Sequence, residues 1–473
     1  MINNRRQSLK YVLSDWLSLN VGWFLFTMVR YSALPDHMLG DGGFMGHIAT
    51  SPVLEGQIVF PFMMVAMYWL SGYYNQPYFK SRLDDVLNTV FVSLCGSIVI
   101  FFVAMVNDGF SERSTNITLL LLLWLFLIVP VYICRVIITY SATKKIRRGE
   151  IAYNSLVVGT GRSAIELAER INHSSRGNGF RIVGLVEVCP GLKSGYDTTL
   201  EVSDIADIRQ TIAEKNIERL IVVPHRNGLK QTFELITKLM PLGCEIFATP
   251  DLYSMIVMRP RMQDVVNDPL VNISSPGFSP MTANMKRTAD VVLSALALLL
   301  FSPLYLALAI AVKIDSPGPA FYRQQRIGYH KKPFYIYKFR SMYTDSEADG
   351  PSLSTIDDPR ITRVGRFLRK YRLDEFPQFW NVLKGDMSIV GPRPEREYYV
   401  RQIVERMPYY TLVHRVRPGI TSWGMVKYGY ASNVDQMIDR LRYDLLYLEN
   451  VSMGVDLKIL FHTVSTVITG RGI

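Results

Sequence analysis

The chain has 473 residues, room for about three domains, and 49% of them are hydrophobic, a high share for a soluble protein that makes membrane segments the first thing to seek. The net charge of +11 fits a surface facing anionic head groups or phosphate-bearing substrates, although charge alone would equally fit nucleic acid. Cys95, Cys134, Cys189 and Cys244 are widely spaced and indicate neither a disulfide framework nor a zinc site.

Four apolar stretches, at 11–31, 57–74, 86–107 and 117–140, each approach the ~20 residues that span a bilayer. Basic residues lie before the first (Arg5, Arg6, Lys10), between the second and third (Lys80, Arg82) and after the fourth (Lys144, Lys145, Arg147, Arg148). The other two loops carry Asp36, Asp41, Glu55, Asp108 and Glu112, with Arg113 as their base. The positive-inside rule therefore places the amino terminus and everything after residue 144 in the cytoplasm. The first stretch is long, lacks a small-residue cleavage pattern and continues into further spans, so it reads as a span and not as a cleaved leader. Asp15, inside its first turns, reads as a carboxylate reaching the interface.

Soluble composition resumes with NSLVVGTGRSAIELAERI from residue 154, an apolar strand, a Gly-rich turn and an amphipathic helix. Gly159, Gly161 and Ala164 fit GxGxxA, a turn that can aim a helix amino terminus at a phosphate and make a weak nucleotide-binding site. FRIVGLVEV at 180–188 and RLIVVP at 219–224 read as further strands of a parallel sheet. Glu187 falls later than the acidic residue of a dinucleotide fingerprint, and a Gly-rich turn also serves plain tight packing, so a structural or regulatory domain is the expectation over 151–258. A linker at 259–280, with Pro260, Pro269, Pro276 and Pro280, closes it.

Residues 289–312 are apolar enough to span, yet Pro303 removes a helical hydrogen bond and pushes Ser302 away from the α region, so a break is expected there. The Ser302 hydroxyl can satisfy one freed backbone group. Lys286 and Arg287 precede the segment and Lys313, Arg323 and Arg326 follow it, so both flanks read as cytoplasmic and a re-entrant helix over 286–314 is favoured over a fifth span kinked at proline.

Beyond it, KFRSM at 338–342 supplies Lys338 and Arg340, and ITRVGRFLRKY at 361–371 reads as an interfacial amphipathic helix. RLDEFPQFWNVLKGDMSIVGPRP at 372–394 then sets the adjacent carboxylates Asp374 and Glu375 between a run of arginines and a rigid Gly-Pro-Arg-Pro turn. A lone Asp-Glu pair is most often a solvated helix face. Here it sits beside Leu373, Phe376, Phe379 and Trp380, an apolar set at helical spacing, and the surrounding guanidiniums suit phosphate chemistry.

These runs resemble the bacterial sugar transferase family, the polyprenyl-phosphate hexose-1-phosphate transferases, whose motifs read much like KFRSM, LDExPQxxNVLKGDMSxVGPRP and RPGIT, over residues 281–473. The front end is similar to that of the large subclass that initiates exopolysaccharide, capsule or O-antigen synthesis. The resemblance implies a four-helix transmembrane domain (1–150), a cytoplasmic Rossmann-like α/β domain and a mainly α, monotopic catalytic domain (281–473) in the bacterial inner membrane. It implies transfer of a sugar 1-phosphate from a UDP-sugar to undecaprenyl phosphate, with Asp374 as nucleophile, Glu375 as the Mg²⁺ ligand, and Lys338, Arg340, Arg372, Arg393, Lys286 and Arg287 as substrate-binding cations. The Ser302–Pro303 break matches the family's membrane-dipping helix. The lipid bilayer is an expected partner and nucleic acid is not; a homodimer and downstream glycosyltransferases are candidate partners. The commoner family pattern places a Gly and a Gln after Pro-Gly-Ile-Thr, where this chain has Ser422 and Met425, which bears on sugar preference and not on the reaction.

Two other classes fit parts of the chain. A membrane-tethered nucleotide-sugar dehydratase needs a Tyr-x-x-x-Lys pair after its nucleotide fold, and Tyr140 with Lys144 precedes it. A non-catalytic scaffold for polysaccharide assembly would be signalled by loss of the dyad or of the GPRP turn, and both are present.

Overall fold

The computed structural model describes residues 4–33, 43–75, 77–78, 82–104, 113–159, 161–173, 179–188, 200–223, 229–249, 270–274, 277–344, 358–429 and 431–469. Most of the linker expected at 259–280, and the loop charges Asp36, Asp41, Lys80, Asp108 and Glu112, lie outside these. The chain divides into two compact units, Met1–Tyr153 with His173–Arg181 and Ser279–Met285, and Asn154–Asn172 with Ile182–Phe278 and Lys286–Ile473.

In the first unit α1 (Asn4–Ala33), α3 (Ser51–Leu70), α4 (Arg82–Ala104) and α5 (Arg113–Arg147) are long and apolar enough to cross a membrane, with the short α2 (Gly43–Ile48) between the first two. Each expected stretch falls within or largely overlaps one of these four. Tyr11, Leu19, Trp23 and Phe26 of α1 pack inward, while Leu9, Leu13, Leu17 and Val21 recur every four residues on its outer face. A helix apolar on both faces is stable only when its outside also meets an apolar phase. Gly22 lets α1 approach α5, since a Cβ there would stand 2.2 Å from the Phe126 carbonyl oxygen.

Asp15 does not reach an interface. It is fully buried and paired with Arg135 of α5, whose Nε and Nη2 donate to its carboxylate at 2.9 and 2.5 Å. The guanidinium lies between the rings of Tyr68 and Tyr73, 3.8 and 3.6 Å from their centroids, and donates to Thr89, while the Tyr74 hydroxyl donates to Asp15. Charges this deep require partners, and the partner sits 120 residues along the chain.

In the second unit β1 (Tyr153–Val158), β2 (Phe180–Glu187), β3 (Glu201–Asp204), β4 (Arg219–Val222), β5 (Glu245–Ala248) and β6 (Val271–Asn272) form one sheet in the order β3-β2-β1-β4-β5-β6. The β1–β4, β2–β3 and β4–β5 pairs are parallel and β5–β6 is antiparallel. Leu156, Val158, Leu220, Val222 and Ile246 pack with Ile236 and Leu239 of α8 (Leu229–Leu239), while α6 (Arg162–His173) and α7 (Ile208–Glu214) lie earlier in the chain. Gly161 has φ +98°, and a Cβ on Gly159 would stand 3.0 Å from Val223, so both glycines of the turn have a conformational reason to be there.

The remainder is mainly helical. Pro280–Leu300 (α9) and Ser302–Asp315 (α10) are bent by 63°. The break falls at Phe301, one residue before the expected Ser302, because proline is tolerated in the first turn of a helix and α10 simply starts ahead of it. The Ser302 hydroxyl donates to the Leu299 carbonyl at 2.8 Å. A hairpin of β7 (Phe321–Ile327) and β8 (Pro333–Phe339) follows, then α11 (Arg363–Lys370), α12 (Gln378–Lys384), β9 (Ser388–Val390), α13 (Glu397–Arg406), β10 (Gly419–Thr421), α14 (Trp423–Lys427), α15 (Val434–Glu449) and α16 (Met453–Ile468).

Candidate active site

The carboxylate pair lies on a single 3₁₀ turn, Leu373–Glu375, between α11 and α12. Arg372 enters it with φ 52°, a left-handed conformation uncommon outside glycine, asparagine and aspartate. Apolar contacts hold the turn, with Leu373 and Phe376 packing on Leu308, Val312, Phe339 and Leu368. The Tyr305 hydroxyl of α10 donates to the Phe376 carbonyl at 2.6 Å. Asn381 of α12 donates to the Tyr335 carbonyl and accepts from the Tyr337 N–H, which registers the turn against β8. Trp380 is half exposed, so the apolar set is split between core and surface.

Both carboxylates are buried, Asp374 at 7% and Glu375 at 3% exposure, so each must be compensated. Lys338 of β8 stands 2.8 Å from Glu375 Oε1 and 3.8 Å from Asp374 Oδ2. Arg393 Nη2 reaches the same Glu375 oxygen at 3.2 Å, and Arg372 is 3.8 Å from the other. Burial would raise Glu375, but Lys338, Arg393 and Arg372 outweigh it and hold the group well below the usual carboxylate range. Asp374 is the reverse, since burial and then the neighbouring Glu375 charge raise it against the pull of Lys338. Two adjacent acids thus have opposed environments, one held anionic by its cations and the other raised by burial and by its neighbour's charge.

The GPRP turn is clamped by the RPGIT run. β9 and β10 pair in parallel, Gly391 N–H donates to Thr421 O at 3.0 Å, and Gly419 N–H donates to Pro392 O at 2.9 Å. A Cβ on Gly391 would stand 2.5 Å from the Arg417 carbonyl oxygen, so glycine is required for this approach. The clamp aims Arg393 at Glu375, and its other arm contacts Met425 Sδ at 3.1 Å.

The family model of the bacterial sugar transferases matches residues 281–470, the span that holds every one of these groups. A UDP-glucose:undecaprenyl-phosphate glucose-1-phosphate transferase of Caulobacter vibrioides is 43% identical over 188 residues, 39% of this chain and 70% of that protein. The chain belongs to the bacterial sugar transferase family. Among other relatives, a UDP-N-acetylgalactosamine-undecaprenyl-phosphate N-acetylgalactosaminephosphotransferase of Aeromonas hydrophila is 46% identical over 41% of this chain and 46% of its own length. A UDP-glucose:undecaprenyl-phosphate glucose-1-phosphate transferase of Klebsiella pneumoniae is 34% identical over 60% of this chain and 62% of its own. The chain thus spans between about half and three fifths of the length of these two relatives.

Not every cation expected at the substrate converges on the dyad. Arg340 is buried and donates to the carbonyls of Ser316 and Pro317 at 2.6 and 2.7 Å, fastening the turn after α10. Lys286 pairs with Asp456 at 2.6 Å, and Arg287 donates to the carbonyls of Val382 and Leu383 at the end of α12. These three have structural partners, and Lys338, Arg372 and Arg393 form the cluster on the dyad. Gly159 and Gly161 lie in the turn between β1 and α6 and are not among the groups that surround the dyad.

Among the described residues no group of three histidine, cysteine or acidic side chains could cage a metal. The dyad's hard oxygens fit instead a Mg²⁺ that takes one or two carboxylate oxygens and completes its shell on substrate phosphates. Tyr305 and Asn381, which position the turn, escaped sequence reading because their partners are backbone groups 71 and 46 residues away.

Proposed function

We propose that the chain transfers a sugar 1-phosphate from a UDP-sugar to undecaprenyl phosphate, as the names of its relatives state for them. An Asp374 oxygen attacks the β-phosphorus, the bond to the bridging oxygen breaks, and UMP departs with that electron pair. An oxygen of the lipid phosphate then attacks the same phosphorus, expels the carboxylate and yields undecaprenyl-diphosphate sugar. Lys338, Arg393 and Arg372 neutralise phosphoryl oxygens. Mg²⁺ on Glu375 and the donor's diphosphate would supply further charge neutralisation. The observation that carries the reading is the buried Asp374–Glu375 pair ringed by three cations, one acid depressed and the other raised.

Location follows the same logic. The four apolar helices cross the bacterial inner membrane with both ends cytoplasmic, and α9–α10 dips into the inner leaflet and returns, so donor and lipid meet at one side chain. Support comes from both arms being tied to the same catalytic core, Lys286 to Asp456 and Asp290 to the Ile389 N–H before the bend, and Tyr305 to Phe376 after it. The α/β domain, with its β3-β2-β1-β4-β5 order, is Rossmann-like and serves a structural or regulatory role.

The full chain in nanodiscs, given UDP-glucose or UDP-N-acetylgalactosamine labelled in the sugar and no lipid acceptor, becomes labelled on Asp374. Asp374→Asn abolishes both labelling and UMP release. A folded Asp374→Asn protein that still turns over would end the assignment.

A further inference from the structure

Behind the GPRP turn lies a set of buried charges that the proposed chemistry does not use. Asp444 of α15 is 5% exposed, and its Oδ1 accepts from the Gly424 N–H at 2.9 Å. The Ser422 hydroxyl and the Arg393 N–H also donate to this carboxylate. Gly424 permits the approach, since a Cβ there would stand 2.9 Å from Asp444 Oδ1. One turn earlier on α15, Arg440 pairs with Glu395, the residue that closes the turn. Glu395 is also 3.3 Å from Arg326, which donates to the Pro394 carbonyl at 3.1 Å.

The segment from Ser422 to Met425 gives the arrangement its meaning. Ser422 caps α14 by accepting from the Met425 N–H at 2.9 Å, and Met425 Sδ receives Arg393 Nη1. One carboxylate therefore references Arg393 twice, once through its main chain and once through the short helix that carries Met425 to its guanidinium. The other arm of that guanidinium is on Glu375. We propose that Asp444 is a positioning residue that holds Arg393 on the reaction centre, fixing its main chain directly and its side chain through α14. A carboxylate buried at this depth is costly even with these donors and the nearby Arg440 charge, and an apolar residue of similar size would pack the same helix without that cost. Its place beneath the one arginine of the turn gives the charge a purpose that packing alone does not.

The inference rests on the proposed sugar-phosphate transfer, and UMP release by the wild-type chain is measured first with UDP-glucose and UDP-N-acetylgalactosamine. If neither donor gives UMP, the transfer and this inference fall together. With an active wild type, Asp444→Asn is expected to lower kcat/KM at least tenfold, mainly through KM for the donor, and thermal unfolding controls for global loss of structure. In a double-mutant cycle Arg393→Ala is expected to cost far less in the Asp444→Asn background than in the wild type, because both remove one interaction. Losses that multiply independently, or wild-type kinetics for Asp444→Asn, overturn the inference and leave the transfer standing. Should Asp444→Asn not be recovered folded, Ser422→Ala removes one donor while keeping the charge. It is expected to show the same KM-weighted loss in smaller measure, and unchanged kinetics would overturn the proposal.

Discussion

Lys338→Met separates the two roles given to the cation cluster. Lys338 lies within 4 Å of both carboxylates, 2.8 Å from Glu375 and 3.8 Å from Asp374. Glu375 keeps Arg393 and Arg372 when the lysine is removed, whereas Asp374 loses its nearest positive charge. At an effective dielectric of about 20, unit charges at the Asp374 distance interact by about 4 kcal/mol, a figure that water entering the vacated space will reduce. At 1.36 kcal/mol per decade, labelling by UDP-sugar should slow by roughly tenfold to a thousandfold. The sign of the pH effect is fixed by Asp374, which burial and Glu375 raise and Lys338 lowers. The proposed attack needs the ionised form, so activity is expected to fall as pH drops through this pKa, and without Lys338 the acid limb should move to higher pH. Single-turnover labelling across pH 5–9 reads both quantities, and Lys338→Arg, which keeps the charge, should return the limb towards the wild-type position even if geometry costs rate. An acid limb that stays in place in Lys338→Met, at an undiminished rate, would refute the electrostatic account of the dyad.

Three further outcomes follow from other contacts. Burial pushes Asp444 up to about 6, so its contribution to stability is fully present below the ordinary carboxylate range and is lost as pH rises through about 6. Thermal unfolding should therefore show the wild type gaining on Asp444→Asn by on the order of 2–3 kcal/mol between pH 7 and pH 4, and parallel curves would contradict it. Arg135→Met leaves Asp15 buried without its partner and should destabilise the first unit by about 3–5 kcal/mol, whereas Asp15→Leu with Arg135→Met should recover most of that in a detergent melt. Met425→Gln replaces a weak sulfur acceptor on Arg393 with a strong oxygen one, and should change the ratio of UDP-glucose to UDP-N-acetylgalactosamine use several-fold.

The parts of the site legible in the sequence were those whose partners are near in sequence or whose identity is fixed by local chemistry. Asp374, Glu375, Lys338 and Arg393 fall in short runs, and the glycines of GPRP and RPGIT announce a close approach of two backbones, which Gly391 and Gly419 make. Proline at 303 likewise announced a break. What could not be read was the partner of each charge. Arg340, Lys286 and Arg287 look like Lys338 in sequence, but a cation's duty depends on which carbonyl or carboxylate the fold brings to it. Asp15 looked like an interfacial acid because Arg135 lies in another apolar stretch with nothing local to link them. Asp444 offered no signal, since the N–H groups that donate to it come from segments 20 and 51 residues earlier.

The bent pair α9–α10 brings these threads to one point. An unbroken span would carry its two ends about 30 Å apart, on opposite faces of a bilayer. Here the approach arm is fastened by three charged residues within five positions, Lys286, Arg287 and Asp290, to α16, the end of α12 and β9. The return arm is fastened by Tyr305 to the carbonyl that follows the dyad, and by Arg340 to the carbonyls at its exit. Every anchor belongs to the same core, while Leu299, Leu300 and Phe301 at the bend stay exposed and apolar. A segment tied down at both ends with its greasy elbow left outside has its least costly environment with the elbow in lipid and the ends in water. On the proposed re-entrant arrangement, the Tyr305 bond couples the depth of the elbow to the height of Asp374 at the membrane surface. The proposed transfer needs a water-soluble donor and a lipid phosphate to reach the same carboxylate, and the Tyr305 bond ties the return arm of the bent pair to the acid turn that carries it.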